Sequence, residues 1–419
     1  MAGFIEILRS GSWLTRERVR LVALAVLAAF VLGAGFLIAT SNGLNDRFGR
    51  PLGTDFSNVY AAGSYVLDGE PSAPFDPPRQ YAREQAIFGQ ATQFYGWHYP
   101  PFFLGLAALL AAMPYWLALI VWQGTTLGLY LLSMRAIVPR PLPITRMKSD
   151  HFWVVLALAF PAVFINLGQA HNGFLTAALF GAALVMLVER PILAGVLIGC
   201  LAYKPQLGLL IPLVLIATGR WRAFASAAVT VSVMTLAVTF AFGIDVWSAF
   251  FATSKFTRTV VLEQGGTGWY KIQSVFSWVR MWGGGIALAY AAQAAIAVAV
   301  AAALCWLWRS RASYPLKAAG LLIGTLLATP YSLDYDLMLL APAIAYLSID
   351  GFARGFGPYE KTIVAALWIV PLVARSVPQA TLIPLAVPTM LLALVFLLRR
   401  AMNECGAPGL WHFAGRPLK

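Results

Sequence analysis

Between residues 21 and 399 the chain carries a succession of apolar runs, many near the length of a membrane-crossing helix, interrupted by two long mixed segments. A helix rising 1.5 Å per residue needs about 20 apolar residues to cross a hydrocarbon core about 30 Å thick. Twelve candidate spans follow: 21–40, 115–137, 152–167, 173–188, 191–203, 205–219, 223–242, 285–308, 314–330, 335–349, 362–377 and 379–399. Only 11% of the 419 residues are charged and 60% are hydrophobic, with a mean hydropathy of +0.74. Soluble domains carry about 25% charged residues, so a water-soluble globule does not fit. The expected fold is all-α: one polytopic membrane domain over residues 1–419.

The stretch 100–112 is apolar but too short to span, and it starts with Pro100-Pro101. It reads as a helix lying in the interface or dipping part-way in. At the N-terminus Arg9, Arg16, Arg18 and Arg20 precede the first apolar run, as in a signal peptide. The run is long for a signal h-region and has no clean small-x-small cleavage site, so it reads as an uncleaved span. Cys200, Cys305 and Cys405 show neither a pairing pattern nor zinc spacing.

The net charge of +13 suggests nucleic-acid binding only until the charges are placed. With both termini cytoplasmic, the inner side holds 20 of the 30 Lys and Arg and 7 of the 17 acids. These include the basic loop of Arg135, Arg140, Arg146 and Lys148, and the tail residues Arg416 and Lys419. The outer side then sums to zero and the inner side to +13, which is the positive-inside pattern of a membrane protein and no nucleic-acid footprint. Two outer segments are long, 41–114 and 244–284, and loops of that length tend to be functional.

Five clusters interrupt the apolar pattern, and all fall on the outer side. Asp55, in Gly53-Thr54-Asp55-Phe56 with Tyr60 beyond it, can accept a proton from a hydroxyl attacking a sugar carbon. It can also simply cap a helix starting near Ser57. Trp97-His98-Tyr99-Pro100-Pro101 offers an aromatic platform, or plain interfacial anchors, with His98 as a possible acid or phosphate partner. Gln169, His171 and Asn172 form a polar turn that serves either a ligand or helix ends. Lys204-Pro205-Gln206 puts a cation and a helix break at membrane depth, where an anionic ligand or a snorkelling position would offset its cost of roughly 2.5–3.5 kcal/mol. In Tyr331-Ser332-Leu333-Asp334-Tyr335-Asp336, the two acids can ligate a divalent ion, or Ser332 or Asp334 can cap the next span.

These motifs resemble the GT-C membrane glycosyltransferases, and more closely glycosyltransferase family 87. The resemblance rests on Thr54-Asp55-Phe56 with Tyr60-Ala61-Ala62-Gly63, His98-Tyr99-Pro100-Pro101, Gly168-Gln169 with Asn172, Lys204-Pro205-Gln206, and Thr329-Pro330-Tyr331-Ser332 with Asp334. It implies inverting transfer of a hexosyl unit, mannosyl in the relatives it points to. The donor would be a polyprenyl-phosphate sugar, and the acceptor a lipid or glycan on the periplasmic face of a bacterial inner membrane. Asp55 would be the base, and Lys204 and His98 the donor-phosphate contacts. Tyr60, Trp97, Tyr99, Gln169, His171, Asn172, Gln206, Tyr331 and Asp334 would line the sugar and acceptor sites. No cofactor is expected, with a divalent cation at the acid pair left open, and the partners are membrane lipids but no nucleic acid. A carrier of lipid-linked sugars, or a ligase using a polyprenyl-diphosphate donor, would share the aromatics and the lysine. A carrier would more often show an inverted repeat and charges mid-span, whereas here they cluster at one rim.

Overall fold

A computed structural model describes residues 2–138 and 152–406. Arg140, Arg146, Lys148, Arg416 and Lys419, counted above toward the inner charge, lie outside the described residues. In chain order the α-helices are α1 (Ala2–Ser10), α2 (Arg16–Ala39), α3 (Thr54–Leu67), α4 (Pro77–Phe88), α5 (Leu104–Ala111), α6 (Tyr115–Ile137), α7 (Phe152–Leu158), α8 (Pro161–Gln169), α9 (Gly173–Met186) and α10 (Pro191–Cys200). They continue with α11 (Leu210–Ala217), α12 (Trp221–Phe242), α13 (Asp245–Phe256), α14 (Val275–Met281), α15 (Ile286–Arg309), α16 (Tyr314–Ala328), α17 (Leu340–Arg354), α18 (Glu360–Val373), α19 (Ser376–Thr381) and α20 (Ala386–Gly406). The all-α membrane fold expected from the sequence is the fold observed.

The expected twelve spans are not reproduced by length and composition. Six described helices are long and apolar enough to cross a membrane, or seven if α7 and α8, bent by 51° at Pro161, count as one span. Several of the others are shorter apolar helices: Gly173–Met186, Pro191–Tyr203, Pro205–Ala217 and Tyr314–Ala328. For α16 the reason is burial. Every α16 residue from Ala318 to Ala328 is buried by protein, chiefly α15, α17 and α20, and a helix enclosed by protein need not match the bilayer. In contrast, α2 buries only Ala23, so its apolar surface is left for lipid.

Close helix approach depends on missing side chains. Gly195 and Gly199 are spaced as in a small-xxx-small motif, and a Cβ on Gly199 would lie 2.6 Å from Thr230 Cβ, so α10 and α12 meet nearly backbone to backbone. Gly63 of α3 faces the Ala107 carbonyl of α5 with no room for a methyl, and a Cβ there would also lie 2.8 Å from Ala111 Cβ. Gly63→Val is expected to lower the melting midpoint of the detergent-solubilised protein, at a cost of about 1–3 kcal/mol or more. An unchanged midpoint would show that α5 simply shifts.

The long segment 41–114 is therefore not an open loop: α3, α4 and α5 pack on one another, and 100–112 becomes a short 3-10 turn followed by α5, packed on α3. At the opposite end, buried Asp350 of α17 binds Arg400 of α20 at 2.7 Å and Ser313 Oγ at 2.6 Å. Arg400 also reaches Glu360 of α18 at 2.6 Å. This network latches four helices without touching the clusters described next.

Candidate functional site

The site forms because short irregular segments at one end of the bundle are tied to each other. Helix α3 starts at Thr54, earlier than the expected Ser57. Its N-cap is Gly53, with φ +70°, and no side chain caps it. A side chain at Gly53 would be strained by that φ, and its Cβ would lie 2.8 Å from both Ala170 Cβ and Leu119 Cδ1. This close fit seats the first turn of α3, and Asp55 with it, against the end of α8. That end is in turn held by α6, where Trp122 Nε1 donates to the Ala170 carbonyl (3.0 Å) and Gln123 Nε2 to that of Leu167 (2.7 Å).

Asp55 does not cap its helix. With the Gln169 amide oriented so that both its ends are satisfied, Gln169 nitrogen donates to Asp55 Oδ2 at 3.0 Å. The Gln169 oxygen accepts from Arg375 Nη2 at 2.7 Å. Arg375, in the corner between α18 and α19, grips the buried Asp334 carboxylate through Nε and Nη2. Asp55 as a whole residue is half-buried. Burial pushes its pKa up to about 6. The positive charges of Arg375, Lys271 and Lys204 oppose that rise, while Asp334 adds to it.

Lys204 is neither a snorkelling lysine nor a free one. It is 4% exposed and sits 2.6 Å from Asp336 Oδ1, below the ring of Tyr335 (4.8 Å to the centroid). Asp336 Oδ2 accepts the Leu333 N–H (3.0 Å) and so caps the turn that neither Ser332 nor Asp334 caps. Tyr335 stacks on His171 at 3.5 Å between centroids, and His171 Nε2 meets the Tyr99 hydroxyl at 3.0 Å. The two acids of the turn thus face different cations, Arg375 and Lys204. Among the described residues no three His, Cys, Asp or Glu side chains group as metal ligands.

Members of all five sequence clusters therefore touch: Asp55 with Gln169, Tyr99 with His171, His171 with Tyr335, and Lys204 with Asp336. Individual residues fall less evenly. The Tyr60 hydroxyl donates to the Met113 carbonyl (2.9 Å) and its ring packs edge-on against Tyr115, so it fastens α3 to α6 rather than facing Asp55. Trp97 is 1% exposed, inside a cluster with Tyr99 and Phe103, and is a core residue rather than an open platform or an interfacial anchor. His98 binds Thr257 Oγ1 through Nδ1 at 2.9 Å, and burial lowers its pKa to about 4, so the ring is neutral near pH 7. Asn172 heads α9 without capping it; it is 2% exposed, and both side-chain polar atoms are unpartnered among the described residues. Gln206 lies in the turn Pro205–Leu207, partly exposed, with no side-chain hydrogen bond among the described residues. Tyr331 lies beside the acid turn, within electrostatic reach of Asp55 and Asp336.

Three residues outside the expected set complete the arrangement. Arg375 is the only charge between Lys361 and Arg399, and a lone ionisable group in an apolar stretch is a signal in itself. Asn166 ties the polar turn together, accepting from Gly173 N (2.9 Å) and donating to the Tyr335 carbonyl (3.1 Å). Gln273, fully buried, has its N–H on the Ser332 carbonyl (2.6 Å) and its amide on that of Ala374 (2.7 Å). It pins the second long segment, with Lys271, beside the acid turn and the Arg375 corner.

The class these features define is a helical membrane protein with a polar, charge-paired site at one end. A family model for glycosyltransferase family 87 matches residues 97–330, more than half of the chain, and the chain belongs to that family. It is a membrane glycosyltransferase. No curated protein and no solved structure matches it. The matched stretch contains His98, Gln169, His171, Asn172 and Lys204, while Asp55, Asp334 and Arg375 lie outside it.

Proposed function

We propose that the chain transfers a hexosyl unit from a polyprenyl-phosphate donor to a hydroxyl of a lipid or glycan acceptor, with inversion, and with Asp55 as the general base. The observation that carries this reading is Asp55: a half-buried residue whose carboxylate is hydrogen-bonded by Gln169 and raised to a pKa of about 6 by burial. A group of that pKa is ionised at neutral pH yet basic enough to take a proton. The acceptor oxygen bonds to the anomeric carbon as the bond from that carbon to the phosphate oxygen breaks. The phosphate leaves with the electron pair, and the acceptor proton ends on Asp55. A phosphate is already a good leaving group, so no strong general acid is required.

A lipid-linked donor is favoured by a site at the end of apolar helices and by the lack of a Gly-rich nucleotide-binding segment in the sequence. Lys204, already bonded to Asp336, would act on the phosphate through its field. Lys271 and the outer edge of Arg375, whose side chain is 40% exposed, are open to direct contact. His98, neutral, would offer a hydrogen bond and no charge. The sugar and acceptor would meet Gln169, Asn172, Gln206 and Tyr331. The charge distribution supports a periplasmic site on a bacterial inner membrane, with both termini cytoplasmic.

Purified protein in vesicles, given labelled prenyl-phosphate sugar, is expected to release prenyl phosphate only when an acceptor is present. Transfer solely from a diphosphate-linked donor would favour the ligase alternative. The pH profile follows from the base role: Asp55 works only when ionised, so kcat/KM is expected to be level above about pH 6 and to fall tenfold per pH unit below it. A rate that rises on acidification would rule the base role out.

A further inference from the structure

Arg375 lies outside the stretch matched by the family model and makes no direct hydrogen bond to Asp55. Its reach toward the site is nonetheless specific. The guanidinium is a rigid planar fork. One side of that fork is fixed by Asp334, which is fully buried, and Nη2 extends past it to the Gln169 oxygen at 2.7 Å. A primary amide has one donor end and one acceptor end. Once Arg375 takes the acceptor end of Gln169, only the donor end can face Asp55. The reverse orientation would set the amide oxygen against the carboxylate and its N–H against a cation.

From this geometry we infer that Arg375 is a positioning residue, acting through Gln169 to orient the Asp55 carboxylate and hold it charged, with Asp334 as its anchor. The inference rests on Asp55 being the base. Arg375 is not alone around that group. Lys271 faces Asp55 from the second long segment, Lys204 from the break between α10 and α11, and Asp334 from the turn before α17. Glu84 of α4 is buried on the Tyr95 N–H (2.9 Å) and raised to about 8 by burial, and it faces Asp55 together with Tyr95, Tyr99, Tyr331 and Tyr335. Of the three cations, Arg375 exerts the largest pull and is the one joined to Asp55 by a continuous chain of hydrogen bonds.

Carbodiimides modify protonated carboxyl groups, so the pH midpoint of Asp55 labelling, read by mass spectrometry on the full protein in detergent, reports its ionisation without turnover. In Arg375→Gln the midpoint is expected to move upward by roughly one to three pH units, the effect of losing a nearby opposite charge. Gln169→Leu leaves the Arg375–Asp334 pair whole, so it guards against misfolding, and should move the midpoint the same way by less. Arg375→Lys keeps the charge but loses the fork. Its midpoint should stay near that of the unmodified protein while kcat falls about tenfold to a hundredfold from lost orientation. Midpoints unmoved in both Arg375→Gln and Gln169→Leu would overturn the coupling. If the midpoint moves while Asp55→Asn still transfers sugar, the coupling stands and the base role falls, so the two failures are distinct.

Discussion

Asp55→Asn is expected to lower sugar transfer by roughly 10²–10⁴-fold, the usual contribution of a positioned base, while the protein still inserts and melts normally. The side chain is isosteric and an amide oxygen can still accept from Gln169. Asn also removes a charge whose burial is unfavourable, as the rise of the Asp55 pKa to about 6 indicates. The substitution is therefore expected to be neutral or mildly stabilising to the fold, so a loss of rate cannot be ascribed to collapse. Asp55→Glu keeps the chemistry but lengthens the reach by a methylene. Partial activity in Glu beside none in Asn would mark a base that is sensitive to position. The measurement is initial rate per inserted protein with labelled prenyl-phosphate sugar. Full activity in Asp55→Asn would remove Asp55 from the mechanism.

Asp55 stood out in the sequence by its pattern, whereas Arg375, although isolated in an apolar stretch, gains its meaning from its contacts. Asp55 lies in a polar stretch after the first apolar run, with aromatic and glycine residues around it, and the lysine of Lys204-Pro205 breaks an apolar stretch visibly. The Lys and Arg bias put five clusters on one side, and the contacts of Asp55 with Gln169, Tyr99 with His171, His171 with Tyr335 and Lys204 with Asp336 set those clusters beside one another. Pairing is a different matter, because ion pairs 132 residues apart such as Lys204–Asp336 leave no local trace. Nor does periodicity say which way an aromatic turns, and so Trp97 read as a platform or an interfacial anchor although it is core. The span count differs at α16 for a related reason. Hydropathy measures apolarity and does not distinguish lipid from protein as the apolar neighbour, so the buried α16 reads like the lipid-facing α2.

The other large effect is on stability. Lys204→Met is expected to destabilise the protein by about 3–5 kcal/mol, the cost of leaving one member of a buried ion pair without its partner. Asp336, 1% exposed, would keep only the Leu333 N–H. The damage would spread through Tyr335, which Lys204 underlies and on which His171 stacks. Lys204→Met combined with Asp336→Asn removes both charges and leaves an amide oxygen to accept from Leu333. This double variant should recover most of the melting midpoint, since replacing a buried pair together is often close to neutral. The pair of variants also separates two roles for the lysine. If Lys204 serves the departing phosphate, the double variant folds but transfers poorly. Should Lys204 serve only to anchor the acid turn, restored stability brings restored activity. Thermal melting followed by tryptophan fluorescence, beside transfer rates on the same preparations, decides between them. A single Lys204→Met variant that melts with the unmodified protein would show that water reaches Asp336 and that the pair is not buried in the way its geometry indicates.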